Sequence, residues 1–141
     1  MKSLFSMLVF LGLVLAAGSL RALALDGGVV IANPSVAADS LTADGLKDIY
    51  TAKTKYWDGG QVITIAVLPD KTDAALQQAS GMEASQFTTF WQRLAFSGRG
   101  QEPKSAADAA AIVALVASTK GAIAIVPPDT ALAGVKKIDI K

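Results

Sequence analysis

The side chains able to do chemistry in this chain are carboxylates and cations: twelve Asp and Glu, thirteen Lys and Arg, with no histidine and no cysteine. That inventory closes off several classes of reaction. Zinc, copper and iron sites are built on Cys and His ligands, and serine or cysteine triads need an imidazole base. No carboxylate pair is singled out by its spacing as acid and base, and no nucleophile elbow occurs. The expectation is no catalytic residue, no metal and no cofactor. What remains is hydrogen bonding, the chemistry of binding. Asn33 and Ser35 are candidates, because they follow a predicted first strand and open α/β sheets bind ligands beyond the carboxyl ends of their strands. Asn-Pro-Ser is also ordinary turn chemistry, and its middle proline disqualifies it as a glycosylation acceptor.

The start of the chain reads as an address. Lys2 is followed by the apolar run Leu4 to Ala17, and Ala22-Leu23-Ala24 fits a small-x-small cleavage pattern. A secretory signal peptide over residues 1–24 is expected, removed after Ala24. The run is short for a membrane span of ~20 residues, so no membrane insertion is expected after cleavage. Of 141 residues 117 remain, enough for one domain over 25–141. Losing Lys2 and Arg21 leaves eleven cations against twelve anions, a net charge of −1. No basic stripe suggests nucleic acid. Export without cysteine fits a periplasm, where packing rather than disulfides must hold the fold.

The elements that would position a site alternate in type. Gly28 to Ala32 is a first strand. Thr42 is a good N-cap, with Asp44 in the first turn, Leu41 and Leu46 spaced as a hydrophobic staple, and Leu46, Ile49 and Tyr50 on one face. Lys53 to Gly60 forms a loop ending in Asp-Gly-Gly, with Trp57 expected in the core. Val62 to Leu68 is a second strand, apolar enough to be covered on both faces. Helices follow over Asp73 to Ala79 and Glu83 to Phe96, the latter with Phe87, Phe90, Trp91 and Leu94 as a core stripe. Ser105 and Asp108 suggest a capping box ahead of Ala109, Ile112, Val113 and Val116, and Lys120-Gly121 ends that helix. Ala122 to Val126 is a third buried strand, Asp129 to Ala133 a possible helical turn. Val135 to Ile140 reads as an edge strand guarded by lysines. Strands separated by helices imply an α/β three-layer sandwich, a mixed, largely parallel sheet flanked by helices.

These residues also carry a likeness. Leu46-Lys47-Asp48-Ile49-Tyr50-Thr51-Ala52-Lys53, then Tyr56-Trp57-Asp58-Gly59-Gly60 and a strand, then Phe90-Trp91 through Phe96-Ser97-Gly98-Arg99-Gly100, then Gly121-Ala122-Ile123-Ala124-Ile125-Val126, come in an order that resembles the phosphate ABC transporter substrate-binding proteins. The resemblance implies one lobe of a type II periplasmic binding protein, as in the small, stand-alone members. Phosphate-binding members place an Arg and a Ser-Gly-Thr cluster after the second strand, where hydroxyls and helix-terminal amides hold an oxyanion. Here that stretch reads Leu68-Pro69-Asp70-Lys71-Thr72-Asp73. Leu68 replaces the Arg, Thr72 alone remains of the hydroxyl pair, and two aspartates are added.

The expected function is thus a periplasmic, solute-binding-like role without catalysis, linked to ABC import. Phosphate or another small oxyanion would be held weakly by Asn33, Ser35, Lys71 and Thr72, or Thr72 or Asp73 would merely cap a helix. The expected partners are that oxyanion and an ABC permease. The alternative is a ligand-free structural or adaptor module in a cell-envelope assembly, or a homodimer in which two copies rebuild a cleft.

Overall fold

The computed structural model describes residues 25–141; the signal peptide expected over 1–24 lies outside the described residues. Six strands and four helices follow in the order β1 (Val29–Ala32), β2 (Ser40–Leu41), α1 (Ala43–Tyr50), β3 (Thr64–Val67), α2 (Asp73–Ser80), α3 (Ala84–Phe96), β4 (Lys104–Ser105), α4 (Ala109–Ser118), β5 (Ala122–Val126) and β6 (Lys136–Ile140). The strands make one sheet in the spatial order β2-β6-β1-β5-β3-β4. β2 pairs in parallel with β6, and β3 in parallel with both β4 and β5. β1 runs antiparallel to both of its neighbours, β5 and β6. The carboxyl end of β1 therefore lies at the opposite end of the sheet from that of β3.

Side-chain alternation builds three layers. Val30 and Ala32 of β1, Ile65 of β3 and Ile123 and Ile125 of β5 join a core with Leu46, Ile49, Leu76, Phe87 and Trp91, from α1, α2 and α3. Ile31, Ala66, Ala124 and Val126 point the other way and pack with Ile112, Val113 and Val116 of α4. Adjacent residues on a strand face opposite sides, so a strand covered on both faces must be apolar throughout. All five residues of β5 are buried. This is the α/β three-layer arrangement that alternating strands and helices imply.

Local chemistry sets most helix boundaries. The Thr42 hydroxyl accepts from the Gly45 amide at 2.9 Å and starts α1. At α3, the Glu83 amide donates to the Gln86 side chain at 3.3 Å. Gly121, after α4, has φ +78°, and a Cβ there would lie 2.2 Å from the Val62 carbonyl oxygen. No other residue fits that position without moving the backbone.

Four expectations need correction. Val135–Ile140 is no edge: β6 is interior, hydrogen-bonded to β1 on one side and β2 on the other. Its alternation arises because Ile138 and Ile140 are buried while Lys137 and Asp139 face solvent; one covered face gives the same pattern as an edge. The second strand is shorter than expected, since Val62 forms only an isolated bridge with Tyr56 and Ile63 bonds to Lys55. Ser105 lies in β4, and α4 is capped by Asp108 alone, which accepts from the Ala111 amide at 2.8 Å. Asp129–Ala133 forms no helical turn; after Pro127-Pro128 the chain makes a reverse turn, with the Thr130 amide bonded to the Pro127 carbonyl.

Candidate functional site

The four candidate residues divide between opposite ends of the sheet. Asn33 leaves the carboxyl end of β1, and its amide bonds to Ala122, the first residue of β5. Thr64, the first residue of β3, is level with Ala122. Lys71 and Thr72 instead follow the carboxyl end of β3. Because β1 is antiparallel to β5 while β3 is parallel to it, the Asn33–Ser35 pair and the Lys71–Thr72 pair do not converge. The expectation that they share one end of the strands assumed parallel neighbours for β1, and the antiparallel pairing overturns it.

Asn33 and Ser35 are held within a framework. The Asn33 side chain, 6% exposed, donates to the carbonyls of Val116 and Ala117 at 2.8 and 3.0 Å, at the end of α4. Its side-chain oxygen accepts from the Ser35 amide at 2.8 Å. The Ser35 hydroxyl accepts from the Gly121 amide at 3.2 Å and from the Gln61 side chain at 3.1 Å. Trp57 adds its indole N–H to the Gly121 carbonyl at 2.9 Å. Asn33 spends its polar atoms on a neighbouring helix end and loop, as a buried polar group must, and Ser35, though exposed, spends its hydroxyl on the Gly121 and Gln61 loops.

The other pair stands at the start of α2. Leu68 is buried against α4's side of the sheet, which leaves no cation in the place where the resemblance implies an Arg. The chain then turns through Asp70 at φ +65°, a left-handed conformation that Asp tolerates better than most residues. Thr72 is buried and occupies the N-cap position, yet its side chain does not cap the helix. Its hydroxyl donates back to the Leu68 carbonyl at 3.3 Å. Thr72 thus takes the N-cap position that the capping expectation gave to it or to Asp73, but its hydroxyl does not serve the helix amides. Lys71, Asp70 and Asp73 are exposed, so this corner carries two negative charges to one positive at the helix end that ordinarily attracts anions.

A larger concavity lies elsewhere, over Trp91. Trp91 donates its indole N–H to the Tyr50 carbonyl at 3.1 Å and lies under a hollow of about 330 Å³ with Lys55, Tyr56, Arg99 and Glu102 on its walls. The Lys55 ammonium donates to the Arg99 carbonyl at 2.5 Å and ties the loop after α1 to the loop after α3. Arg99 also borders a second hollow of about 830 Å³ along α3. Phe90 and Leu94, expected in the core, are only half buried and line it. The missed signal was in the sequence: Gln86, Phe90, Arg93 and Ser97 recur at helical spacing, one position off the Phe87–Trp91 stripe.

No family model matches the sequence, and no curated protein does. Solved structures do. A protein from Clostridium perfringens described as a phosphate ABC transporter substrate-binding protein, with phosphate bound, superposes at a TM-score of 0.62 with 22% identity, over 81% of this chain. The chain shares its fold with part of that protein. An ABC-type phosphate transport receptor from Vibrio cholerae gives 0.56 at 16% identity over 81% of the chain, and PstS from Borrelia burgdorferi 0.60 at 9% over 82%. This chain spans 44%, 46% and 47% of those three. The match thus covers a little under half of each binding protein. The order of elements that the sequence motifs announced is the order this fold shows.

Proposed function

We propose that the protein is a periplasmic, non-catalytic solute-binding lobe linked to ABC import, exported by a leader over residues 1–24 and taking phosphate or a similar oxyanion weakly. The observation carrying this reading is the superposition on a phosphate-bound structure across 81% of the chain. Of the four candidates, Lys71 and Thr72 lie where β3 hands over to α2, and the proposed contacts are the Lys71 ammonium and the amides of the first helical turn. Asn33 and Ser35 are assigned to the framework. Weakness follows from charge: Asp70 and Asp73 oppose an anion, each by roughly 1 kcal/mol at 4 Å in water.

The test is calorimetric titration of the protein lacking residues 1–24 with phosphate, sulfate and molybdate. Millimolar binding, about −4 kcal/mol, that is lost in Lys71→Ala supports the reading. No heat at millimolar anion rejects it. The alternative, a ligand-free structural or adaptor module in an envelope assembly, draws support from buried Leu68 and from the Thr72 hydroxyl already bonded to the backbone.

A further inference from the structure

α3 is an unusual helix for a small α/β unit, because only Phe87 and Trp91 among its thirteen residues are buried. The neighbouring stripe, with Gln86, Phe90, Arg93 and Leu94, lines the 830 Å³ hollow together with Met82 and Arg99. The stripe runs the length of the helix, roughly 20 Å at 1.5 Å per residue. Beside its end, Phe96 is 98% exposed. The second hollow, 330 Å³ over Trp91, shares Arg99 with the first and adds Lys55 and the half-exposed Tyr56.

Size and charge together select the occupant. Hollows of about 300–1,000 Å³ fit whole organic groups, and one water takes about 30 Å³, so a bare oxyanion would leave these mostly filled with solvent. The floor is apolar and aromatic. Lys55, Arg93 and Arg99 stand against a single lining carboxylate, Glu102. Among the described residues the only ion pair joins Lys136 to Asp39, so these three cations have no carboxylate partner. An elongated groove with an apolar floor and unneutralised cations is complementary to a segment bearing carboxylates beside apolar anchors.

We propose that the α3 groove and the adjoining hollow seat an acidic, amphipathic segment of a protein partner, with its apolar side chains against Phe90 and Leu94 and its carboxylates at Arg93 and Arg99. The groove shares no residue with Asn33, Ser35, Lys71 or Thr72, so this inference stands or falls apart from the oxyanion reading. Arg93 and Arg99 supply steering and register, and the aromatic floor supplies the contact area.

Fluorescence anisotropy tests it with a fluorescein-labelled amphipathic peptide of glutamate and leucine, and a matched peptide carrying lysine for glutamate. The acidic peptide should bind to the leaderless protein, at least tenfold more weakly to the Arg93→Glu/Arg99→Glu variant, and more weakly as salt rises. Gln86→Glu, an exposed change on the same stripe, should weaken it several-fold, and circular dichroism should show both variants folded. Equal binding of the two peptides, no binding at millimolar peptide, or indifference to the double reversal would overturn the proposal. So would a dimer by light scattering that the reversal dissociates, which assigns the groove to a second copy. Sedimentation with vesicles of anionic lipid that the reversal abolishes, with no peptide binding, would assign it to a membrane surface instead and likewise overturn it.

Discussion

The indole N–H of Trp57 donates to the carbonyl of Gly121 at 2.9 Å, joining residues 64 positions apart. The same carbonyl accepts the Thr64 amide that opens β3. A loop aromatic, a helix-ending glycine and the first residue of a central strand thus meet at one oxygen. Trp57→Phe removes that donor and three ring atoms of a buried side chain, so a loss of about 1–3 kcal/mol is expected in urea denaturation. Gly121→Ala should cost more, at least about 2 kcal/mol, because left-handed backbone and the 2.2 Å approach to Val62 both forbid a Cβ. If the alanine variant unfolds at the same urea concentration as the parent, the tight passage is not as described.

Asn33 separates framework from ligand site. Asn33→Ala removes the bonds its side chain makes to the Val116 and Ala117 carbonyls and to the Ser35 amide, of which the Val116 carbonyl keeps the Thr119 amide, and a drop of about 1–3 kcal/mol is expected. Its phosphate titration, taken well below the melting temperature, should match the parent. A variant of normal stability that had lost anion binding would put Asn33 in the ligand site after all.

Removing negative charge at the start of α2 should strengthen anion binding. Asp70 is exposed with φ +65°, and Asn keeps both the shape and the tolerance of that backbone. Asp70→Asn should tighten phosphate three- to fivefold, about 0.6–1 kcal/mol at low salt, with the effect fading as salt is raised. Unchanged affinity in calorimetry would mean that the anion binds elsewhere.

Tyr50 carries a hydroxyl that burial has cost its partners. The side chain is fully buried beside Phe87, with ring centroids 6.0 Å apart, and the hydroxyl has no hydrogen-bond partner. Tyr50→Phe should raise stability by about 1 kcal/mol. The pH dependence has a definite sign. Burial pushes the phenol up from its ordinary 10.0, so the neutral form's contribution is fully present below pH 10.0. It is lost as pH rises from there toward the folded value, at up to about 1.4 kcal/mol per unit, because the unfolded chain ionises first. Between pH 10 and about 11 the parent should lose stability faster than Tyr50→Phe in matched thermal melts. Parallel curves would show that water reaches the hydroxyl.

Exposed Asp39 forms an ion pair at 2.6 Å with the half-buried Lys136, which also donates to the Val36 carbonyl at 2.8 Å. The ammonium holds the Asp39 carboxyl below its usual 3.8, first by hydrogen bonding and then by charge. Whatever stability this gives is present above pH 3.8 and is lost as pH falls through the lower folded value. At neutral pH Asp39→Asn should leave the melting temperature almost unchanged, since the exposed carboxylate is solvated and its charge screened. Lys136→Ala should be the more damaging variant, because it also strands a backbone carbonyl.

Much of this architecture is local and therefore written in the chain. Thr42 caps its helix with its own hydroxyl, Gly121 takes up the left-handed backbone, and the apolar run Ala122 to Val126 has to lie between two layers; these follow from sterics and hydration within a few residues. The ordered motifs from Leu46 to Val126 also carry the resemblance to the binding-protein fold. Only the tertiary structure decided which way β1 runs, and with it that Asn33 and Ser35 sit away from Lys71 and Thr72. It also set β6 inside the sheet, since alternation reports one buried face and not whether a neighbour is present. The α3 groove belongs only partly to that class: the spacing of Gln86, Phe90, Arg93 and Ser97 marks a second face of the helix, but whether that face meets protein or solvent depends on what packs beside it.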